Sequence, residues 1–156
     1  MARQVQLRRG TATENNNFTG AAGELTYDTD NLDIRIHNGS TGGGYRIPSV
    51  QSISSTGQNS YIKLSNGVMV QWAYNVTYSS ISGNVMTRNF SQSFINTNYT
   101  VVAVVSLQTS DTGCYHLRLI SDGKATSSFK YYMYLGTGIT TNNPSINYIA
   151  IGRWKN

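Results

Sequence analysis

The fold of this chain is decided by residues 60–72, which read SYIKLSNGVMVQW. Two strand-like runs flank Asn66 and Gly67, the residue types that best tolerate the positive φ angles of a two-residue type I′ hairpin loop. Such a loop predicts a register in which Ser65 lies opposite Val68, and the pairing continues outward from there. The stretch therefore predicts a β-hairpin.

The predicted register gives this hairpin two faces, neither of which is clearly polar. One face carries Tyr61, Lys63, Val68, Val70 and Trp72, and the other carries Ile62, Leu64, Met69 and Gln71. A single sandwich core covers only one face, so we expect another subunit to cover the second. The position of Lys63 favours the face with Met69 as the subunit's own core.

Composition places the chain in the all-β class. Only 12% of its residues are charged, against about 25% in an average soluble domain. Glycine, asparagine, serine and threonine are abundant, and 11 tyrosines accompany many β-branched residues. No stretch has helical periodicity, so the composition indicates short strands joined by turns.

The formal charge of +5 falls entirely in residues 51–156, which contain seven basic residues and two acidic residues, Asp111 and Asp122. A mildly basic surface favours anionic partners such as lipopolysaccharide or an acidic capsule. No cluster of lysines and arginines could follow a phosphate backbone, so nucleic acid is not expected as a partner.

Several functional classes are not expected from this sequence. The single cysteine, Cys114, excludes an intrachain disulfide framework. The start of the chain, MARQVQLRRG, lacks the apolar region of a signal peptide, and no apolar run approaches the length of a membrane span. We therefore expect neither ordinary export nor membrane insertion.

An enzyme is not expected either. The two histidines, His37 and His116, lie far apart in the chain, and no nucleophile elbow, zinc motif or phosphate loop occurs. Two carboxylates on separate turns, Asp111 and Asp122, make a poor glycosidase pair. We expect no cofactor and no metal.

Two sets of residues in the sequence are alternative candidates for a metal site. Asp28, Asp30 and Asp33 are hard oxygen ligands suited to Ca²⁺, but the closing Glu of a calcium loop is absent, and turn chemistry explains them better. Three copies of one histidine around a symmetry axis could also bind a transition metal.

The chain divides into three predicted segments. Residues 1–44 form a small unit with strands at 3–8, 24–28 and 32–37 and a loop at 14–23. Residues 45–59 form a linker, in which apolar residues recur every three positions. This apolar stripe could pack against the same stripe of two other subunits on a threefold axis. Alternatively, the segment could be a plain surface tether.

Residues 60–156 form a second unit. The strand at 99–107 places Val101, Ala103, Val105 and Leu107 on one face and Val102 and Val104 on the other. The strand at 129–135 places Phe129, Tyr131, Met133 and Leu135 inward. Further strands at 115–120 and 146–154, with turns every 8–14 residues, predict a six-stranded antiparallel β-sandwich.

The first unit resembles a known phage module. Residues 5–11 (VQLRRGT), 18–30 (FTGAAGELTYDTD) and 35–45 (RIHNGSTGGGY) match, in order, the N-terminal segment of the phage major tropism determinant and of many phage tail-fibre proteins. In that family the segment belongs to an intertwined homotrimeric β-structure. The resemblance implies virion attachment or trimerisation by residues 1–44.

The second unit resembles the C-terminal domain of bacteriophage tail fibres. The matching segments are residues 61–72, the Phe90/Phe94 pair before residues 99–102, and the closing IAIGRW at 149–154. That domain is similar in build to H-type lectins, which are six-stranded sandwiches assembled as trimers. The resemblance implies recognition of the bacterial surface, and it makes Val68, Val70, Trp72, Val102 and Val104 candidates for the trimer interface.

Glycan binding needs aromatic faces for sugar C–H surfaces and a few polar groups for hydroxyls. The candidates are Asp111, Tyr115, His116 and Arg118 after the two-faced strand, with Tyr78 and Arg88 in a second region. The alternative for residues 115–118 is plain strand surface or trimer interface.

Together these features predict a homotrimeric, non-catalytic phage tail-fibre or tail-tip protein that is assembled in the host cytoplasm and incorporated in the virion. Its partners would be a bacterial surface polysaccharide or lipopolysaccharide and other tail or baseplate proteins. The alternatives are a purely structural fibre or collar component and the fibre tip of a contractile bacteriocin.

Overall fold

The computed structural model describes residues 6–55, 57–82, 84–106, 115–135 and 145–156, and the side chains of Ile81, Tyr115 and Leu135 are outside the description. The chain divides into two compact units. The first unit comprises Met1–Gln51 and Leu64–Asn66, and the second unit comprises Ser52–Lys63 and Gly67–Asn156.

In its described residues, the first unit contains one sheet and one short helix. Its elements are β1 (Arg8–Gly10), α1 (Ala12–Asn17), β2 (Leu25–Asp28), β3 (Asp33–Ile36) and β4 (Tyr45–Ile47). The sheet order is β1-β2-β3-β4, with β1 parallel to β2 and the other pairs antiparallel. The strands predicted at 24–28 and 32–37 are confirmed, whereas β1 begins where the strand predicted at 3–8 was to end.

The loop predicted at residues 14–23 is wrong in its first part, because α1 occupies it. A capping box starts this helix: the Thr11 side chain accepts from the Glu14 backbone N–H, and the Glu14 carboxylate accepts from the Thr11 backbone N–H at 2.7 Å. The spacing of threonine and glutamate three residues apart signals such a helix start. The prediction overlooked it because the segment has no apolar periodicity.

The sheet of the first unit buries its polar side and exposes its apolar side. The buried residues are Thr26, Asp28, Asp33, Arg35 and His37. The opposite face carries large apolar side chains that are 38–60% exposed, namely Leu25, Ile34, Ile36, Ile47 and Tyr45. An apolar sheet face of this kind is stable in water only when something covers it.

The described part of the second unit contains nine strands in two sheets. They are β5 (Val50–Ser54), β6 (Asn59–Leu64), β7 (Val68–Val76), β8 (Ser80–Ser82), β9 (Val85–Asn89), β10 (Thr100–Ser106), β11 (Tyr115–Ala125), β12 (Ser128–Leu135) and β13 (Ser145–Arg153). The five-stranded sheet has the order β10-β13-β7-β6-β5, and the four-stranded sheet has the order β11-β12-β9-β8.

The prediction of an all-β chain is therefore confirmed, but the predicted six strands are too few. The sequence reading missed β5 and β8 and placed no strand at β9. Residues 45–59, predicted as a linker, contain β4, the whole of β5 and the first residue of β6.

One aromatic core joins the two sheets of the second unit. Met69, Ala73, Ile146, Tyr148 and Ala150 bury against Met86, Phe129, Tyr131 and Met133. Phe90 anchors this core, because its ring lies 5.1–5.4 Å from the rings of Phe94, Tyr99 and Phe129. The predicted inward residues of β12 are confirmed for the three described side chains, and of the two faces predicted for the strand at 99–107 the one with Val101 is buried.

The opening hairpin forms, but its predicted register is wrong by one residue. Lys63 pairs with Met69 and Tyr61 with Gln71, so residues 65–67 form a three-residue loop. Within this loop only Gly67 has a positive φ, at 87°, as expected for a type I turn closed by a glycine bulge.

Ser65 explains the slip, because it leaves the hairpin ladder for other partners. Its backbone N–H donates to the Ser49 carbonyl at 2.9 Å, and its hydroxyl accepts from the Ser49 N–H at 3.0 Å. A one-residue slip moves every cross-strand partner to the other face. Met69 lies in the core as predicted. Ile62 was predicted on the same face as Met69, but it pairs with Val70 and so lies on the opposite face of the hairpin.

Candidate functional site

The outer side of the four-stranded sheet follows directly from the alternation in β12. Phe129, Tyr131 and Met133 point into the core, so the alternate residues point outward. The paired positions of β11 project on the same side. This surface, called the tyrosine face below, carries His116, Arg118, Lys130, Tyr132 and Tyr134.

The ladder arranges the tyrosine face in rows. His116 pairs with Tyr134, Arg118 with Tyr132, and Ile120 with Lys130. Cross-strand neighbours of this kind have Cβ atoms about 4.5–5.5 Å apart. The second row continues through Val85 to Ser82, and the third through Thr87 to Ser80. A short hydroxyl therefore borders each of these two rows.

Two tyrosine rings form the centre of this face. Their ring centroids are 6.2 Å apart, with an angle of 34° between the ring planes. Tyr134 is 51% exposed, and Tyr132 is half-buried. Tyr132, Met133 and Tyr134 together with Asn84 line a depression with a volume of about 280 Å³. The rings therefore present an apolar surface, and the tyrosine hydroxyl groups and the neighbouring Asn84 amide can form hydrogen bonds.

The electrostatics of the tyrosine face are one-sided. Arg118, Lys130 and His116 are exposed on it. Among the described residues of the second unit the only carboxylate is Asp122, which lies where the β11–β12 register is interrupted beyond Ile120. The cationic side chains on this face outnumber the single described side-chain carboxylate near it, and such an excess of positive charge favours anionic partners.

Two of the predicted glycan-binding residues thus come together. His116 and Arg118 lie on the tyrosine face, opposite Tyr134 and Tyr132. Tyr115 begins β11 opposite Leu135, and Asp111 lies outside the described residues. Sequence reasoning missed Lys130, Tyr132 and Tyr134, although the same alternation that placed Phe129 inward leaves these three residues outward.

Arg88 and Tyr78, the second predicted region, lie elsewhere. The Arg88 guanidinium donates to the Asn59 side chain at 2.6 Å and to the Thr77 carbonyl at 3.0 Å. Tyr78 packs against the core. Arg88 therefore forms structural hydrogen bonds between segments of the second unit, and neither Arg88 nor Tyr78 lies on the tyrosine face.

Buried tyrosines support the sandwich from within. Burial raises the pKa of Tyr131 to about 12, although the Arg88 charge opposes this shift. Burial likewise raises the pKa of Tyr99 to about 12, and its hydroxyl donates to the carbonyls of Ala125 and Ser128. These phenols stay neutral at physiological pH and act as core residues.

The outer side of the five-stranded sheet has a different chemistry. It is called the aliphatic face below, and it is built around Val102, Val104, Ile149 and Ile151, which are 43–58% exposed. Val102 pairs with Ile149, Ile149 pairs with Trp72, and Ile151 pairs with Val70. All five residues predicted for a trimer interface, including Val68, lie on this one face.

Ion pairs and hydrogen bonds within the first unit hold its acidic residues. Asp28 accepts from the Arg35 guanidinium at 2.6 Å, Asp33 accepts from Arg46, and Asp30 accepts from the Ala12 N–H. Burial opposes the ionisation of Asp28, but hydrogen bonds from Arg35 and Asn31 outweigh it, so its pKa is lowered. In the described parts of the chain no three His, Cys, Asp or Glu residues group as metal ligands.

His37 is buried in the first unit. Its Nδ1 accepts from the Gly20 N–H at 3.2 Å, and its Nε2 lies 3.0 Å from the Thr26 hydroxyl. Both ring nitrogens are therefore engaged within the unit.

The described residues include no helix that has both the length and the apolar character of a membrane span.

Comparisons with known proteins identify the class as phage tail fibres. Residues 5–41 match the family model of the major tropism determinant N-terminal domain. Residues 63–153 match the family model described as putative tail fiber protein gp53-like, C-terminal. Because this second match covers more than half of the sequence, the chain belongs to the gp53-like tail fiber family. Both resemblances of the sequence are thus confirmed.

A curated relative and solved structures resemble parts of the chain. The chain is 47% identical over 47 residues to the tail fiber receptor-binding protein of Bordetella phage BPP-1, covering 30% of this chain and 12% of that protein. It is 32% identical to the Major Tropism Determinant U1 Variant, covering 38% of this chain and 20% of that one, with a TM-score of 0.27. The M1 Variant is 18% identical over 93% of this chain and 42% of that one, with a TM-score of 0.28.

Proposed function

We propose that this chain is the receptor-binding part of a phage tail fibre or tail tip, assembled as a homotrimer in the virion, which binds a bacterial surface glycan without catalysis. The observation that carries the proposal is the tyrosine face. Family membership supports the tail-fibre setting, and the partial match to a tail fiber receptor-binding protein supports the receptor-binding role.

The tyrosine face has the properties that sugar recognition needs. Pyranose rings have apolar C–H faces that stack on aromatic side chains, and their hydroxyls need convergent hydrogen-bonding groups. Tyr132 and Tyr134 provide the aromatic surface, while Arg118, His116 and Asn84 border it. Tyrosine is suited to this role because it loses little conformational entropy when it binds.

A rigid scaffold holds these groups in place. β12 is bonded on both sides, to β11 and to β9, and its inward residues Phe129 and Tyr131 are 2% and 0% exposed. Side chains on a packed central strand are held more accurately than side chains on a loop. The sugar site therefore needs no ordering of the backbone when it binds.

The aliphatic face supports assembly from copies of this chain. A symmetric oligomer buries the same patch of every subunit, and lasting interfaces between identical chains are rich in apolar residues. Val102, Ile149 and Ile151 form such a patch. The first unit exposes a second one around Ile34 and Tyr45. Three copies are the number that the tail-fibre resemblance implies, and the first unit would also attach the fibre to other tail proteins.

Three copies would compensate for weak single sites. One exposed sugar platform binds weakly, but linked sites raise the effective concentration for the second and third contacts. A trimer whose aliphatic faces meet could display three tyrosine faces toward one polysaccharide. Specificity for a host would then depend on the side chains that border the tyrosines.

Binding of the labelled full chain to bacteria tests the proposal. A panel of strains is treated either with periodate, which oxidises sugar diols, or with protease, which removes surface proteins. We expect binding to at least one strain, loss of binding after periodate, and retained binding after protease. Protease-sensitive binding would indicate a protein receptor, and binding to no strain would favour a purely structural fibre component.

A further inference from the structure

The basic residues of the second unit that precede β13 fall into two groups. Those of the first group have partners within the chain: Lys63 donates to Gln92 at 2.7 Å, Lys124 donates to the Tyr99 carbonyl at 2.6 Å, and Arg88 is held by Asn59 and Thr77. These cations stabilise the sandwich and are not free for a ligand.

Arg118 and Lys130 form the other group. Both are exposed, and neither forms a hydrogen bond or ion pair with another described residue. They project from the same tyrosine face, Arg118 in the Tyr132 row and Lys130 in the next row of the ladder. Two cations without described partners are therefore placed at the edge of an aromatic platform.

The identities of these two residues indicate the charge of the ligand. A neutral sugar needs hydrogen-bond acceptors as well as donors, whereas Arg and Lys only donate. A guanidinium matches the two oxygens of a carboxylate or phosphate, and such charge-assisted bonds are about twice as strong as neutral ones. The short side chains Ser80 and Ser82 border the same rows.

We propose that the tyrosine face binds an anionic sugar, in which a pyranose ring lies on Tyr132 and Tyr134 while its carboxylate or phosphate group is held by Arg118 and Lys130. This inference rests on the proposed glycan-binding function and specifies its ligand. The anion would lie beside Tyr132, and Lys130 would supply a second, more mobile charge from the adjacent row.

The test compares Arg118→Gln and Lys130→Gln with the unchanged chain and with Arg9→Gln. The control variant removes the same charge from an exposed residue of the first unit. The probes are arrays of bacterial glycans that are neutral, carboxylated or phosphorylated. Circular dichroism and light scattering first establish that every variant keeps its fold and mass.

We expect binding to acidic glycans only, weakened about tenfold or more by Arg118→Gln, less by Lys130→Gln, and about twofold at most by Arg9→Gln. Added salt should weaken binding of the unchanged chain, because the ion pairs form at an exposed surface. The carboxylated and phosphorylated arms identify which acidic group is the ligand.

The two proposals can fail separately. If neutral glycans bind and Arg118→Gln leaves their affinity unchanged, the anionic-sugar inference is overturned while glycan binding stands. If the chain binds no glycan of any class, the proposed function itself fails. If Arg9→Gln weakens binding as much as Arg118→Gln, overall charge rather than the tyrosine face is responsible, which also overturns the inference.

Discussion

The two outer faces of the second unit lie on one sandwich but differ in chemistry. The aliphatic face presents valines and isoleucines, with Ile149 43% exposed. The tyrosine face presents Tyr132 and Tyr134 with Arg118 and Lys130, and Tyr134 is 51% exposed. Similar exposure therefore accompanies very different side chains.

The difference teaches that exposure alone does not define a binding surface. Valine and isoleucine offer no hydrogen bond, so the aliphatic face is suited to a permanent contact with an equally apolar surface. Tyrosine and arginine side chains can be exposed to solvent and still bind a ligand by ring stacking and by ion pairs. The tyrosine face is therefore suited to reversible ligand binding. We interpret the first as the subunit contact and the second as the receptor contact.

The largest expected effect comes from breaking the core that both faces share. Phe129 lies behind the tyrosine face and is 2% exposed, so Phe129→Ala should lower the free energy of unfolding by about 3–5 kcal/mol. Urea unfolding followed by tyrosine fluorescence measures this loss. Both oligomer mass and glycan binding should decline together. Loss of only one property would mean that the two faces do not depend on a common core.

A carboxylate placed on each face in turn separates their roles. Ile149→Asp should dissociate the trimer, because a charge would be buried between apolar surfaces without a partner. The mass measured by light scattering should fall from three times 17.2 kDa to 17.2 kDa. Tyr134→Asp is the matched control and should leave the mass unchanged. Dissociation by Tyr134→Asp but not by Ile149→Asp would reverse the assignment of the faces.

A smaller effect is expected from shortening one ring of the tyrosine face. Tyr132→Ala should weaken glycan binding about tenfold, which corresponds to about 1.4 kcal/mol of lost stacking. Titration calorimetry with a glycan that the unchanged chain binds measures the change. Val104→Ala, on the aliphatic face, serves as the control and should leave the affinity of each site unaltered. An unchanged affinity in Tyr132→Ala would place the sugar elsewhere.

The smallest expected effect is the loss of folding stability at alkaline pH, which depends on two tyrosines of the shared core. The pKa of Tyr99 and that of Tyr131 are both raised from 10.0 to about 12 by burial. The folded protein therefore holds these protons more tightly than the unfolded chain does. Stability should be complete below pH 10 and fall as the pH rises from 10 through 12. Thermal unfolding across this range should show a shallower fall in Tyr131→Phe.

The parts of the fold that depend on alternation could be predicted from the sequence. The inward positions of Val101, Phe129 and Met133 and the outward positions of Val102 and Val104 follow from a period of two. The same period places Tyr132 and Tyr134 on the outer side of β12. Which sheet edge or face a partner covers is not encoded in that period.

The parts that depend on distant contacts could not be predicted. The hairpin register was wrong because Ser65 bonds to Ser49, sixteen positions earlier, and no local pattern announces that pairing. Helix α1, in contrast, has a local signal that predicts its start: the capping pair Thr11 and Glu14, three residues apart, in a segment without apolar periodicity. Arg88 was predicted as a ligand-binding residue, but it forms hydrogen bonds with Asn59 and Thr77 instead.

Hydroxyl-radical footprinting of the assembled protein, with and without its glycan, tests the division between the two faces most directly. Ile149 and Tyr134 are 43% and 51% exposed in the single chain, so their protection reports assembly and ligand rather than the fold of one subunit. We predict that Ile149 and Ile151 are protected with or without glycan, whereas Tyr132 and Tyr134 are modified without glycan and protected when it is bound. Modified isoleucines and permanently protected tyrosines in the assembled protein would contradict the account.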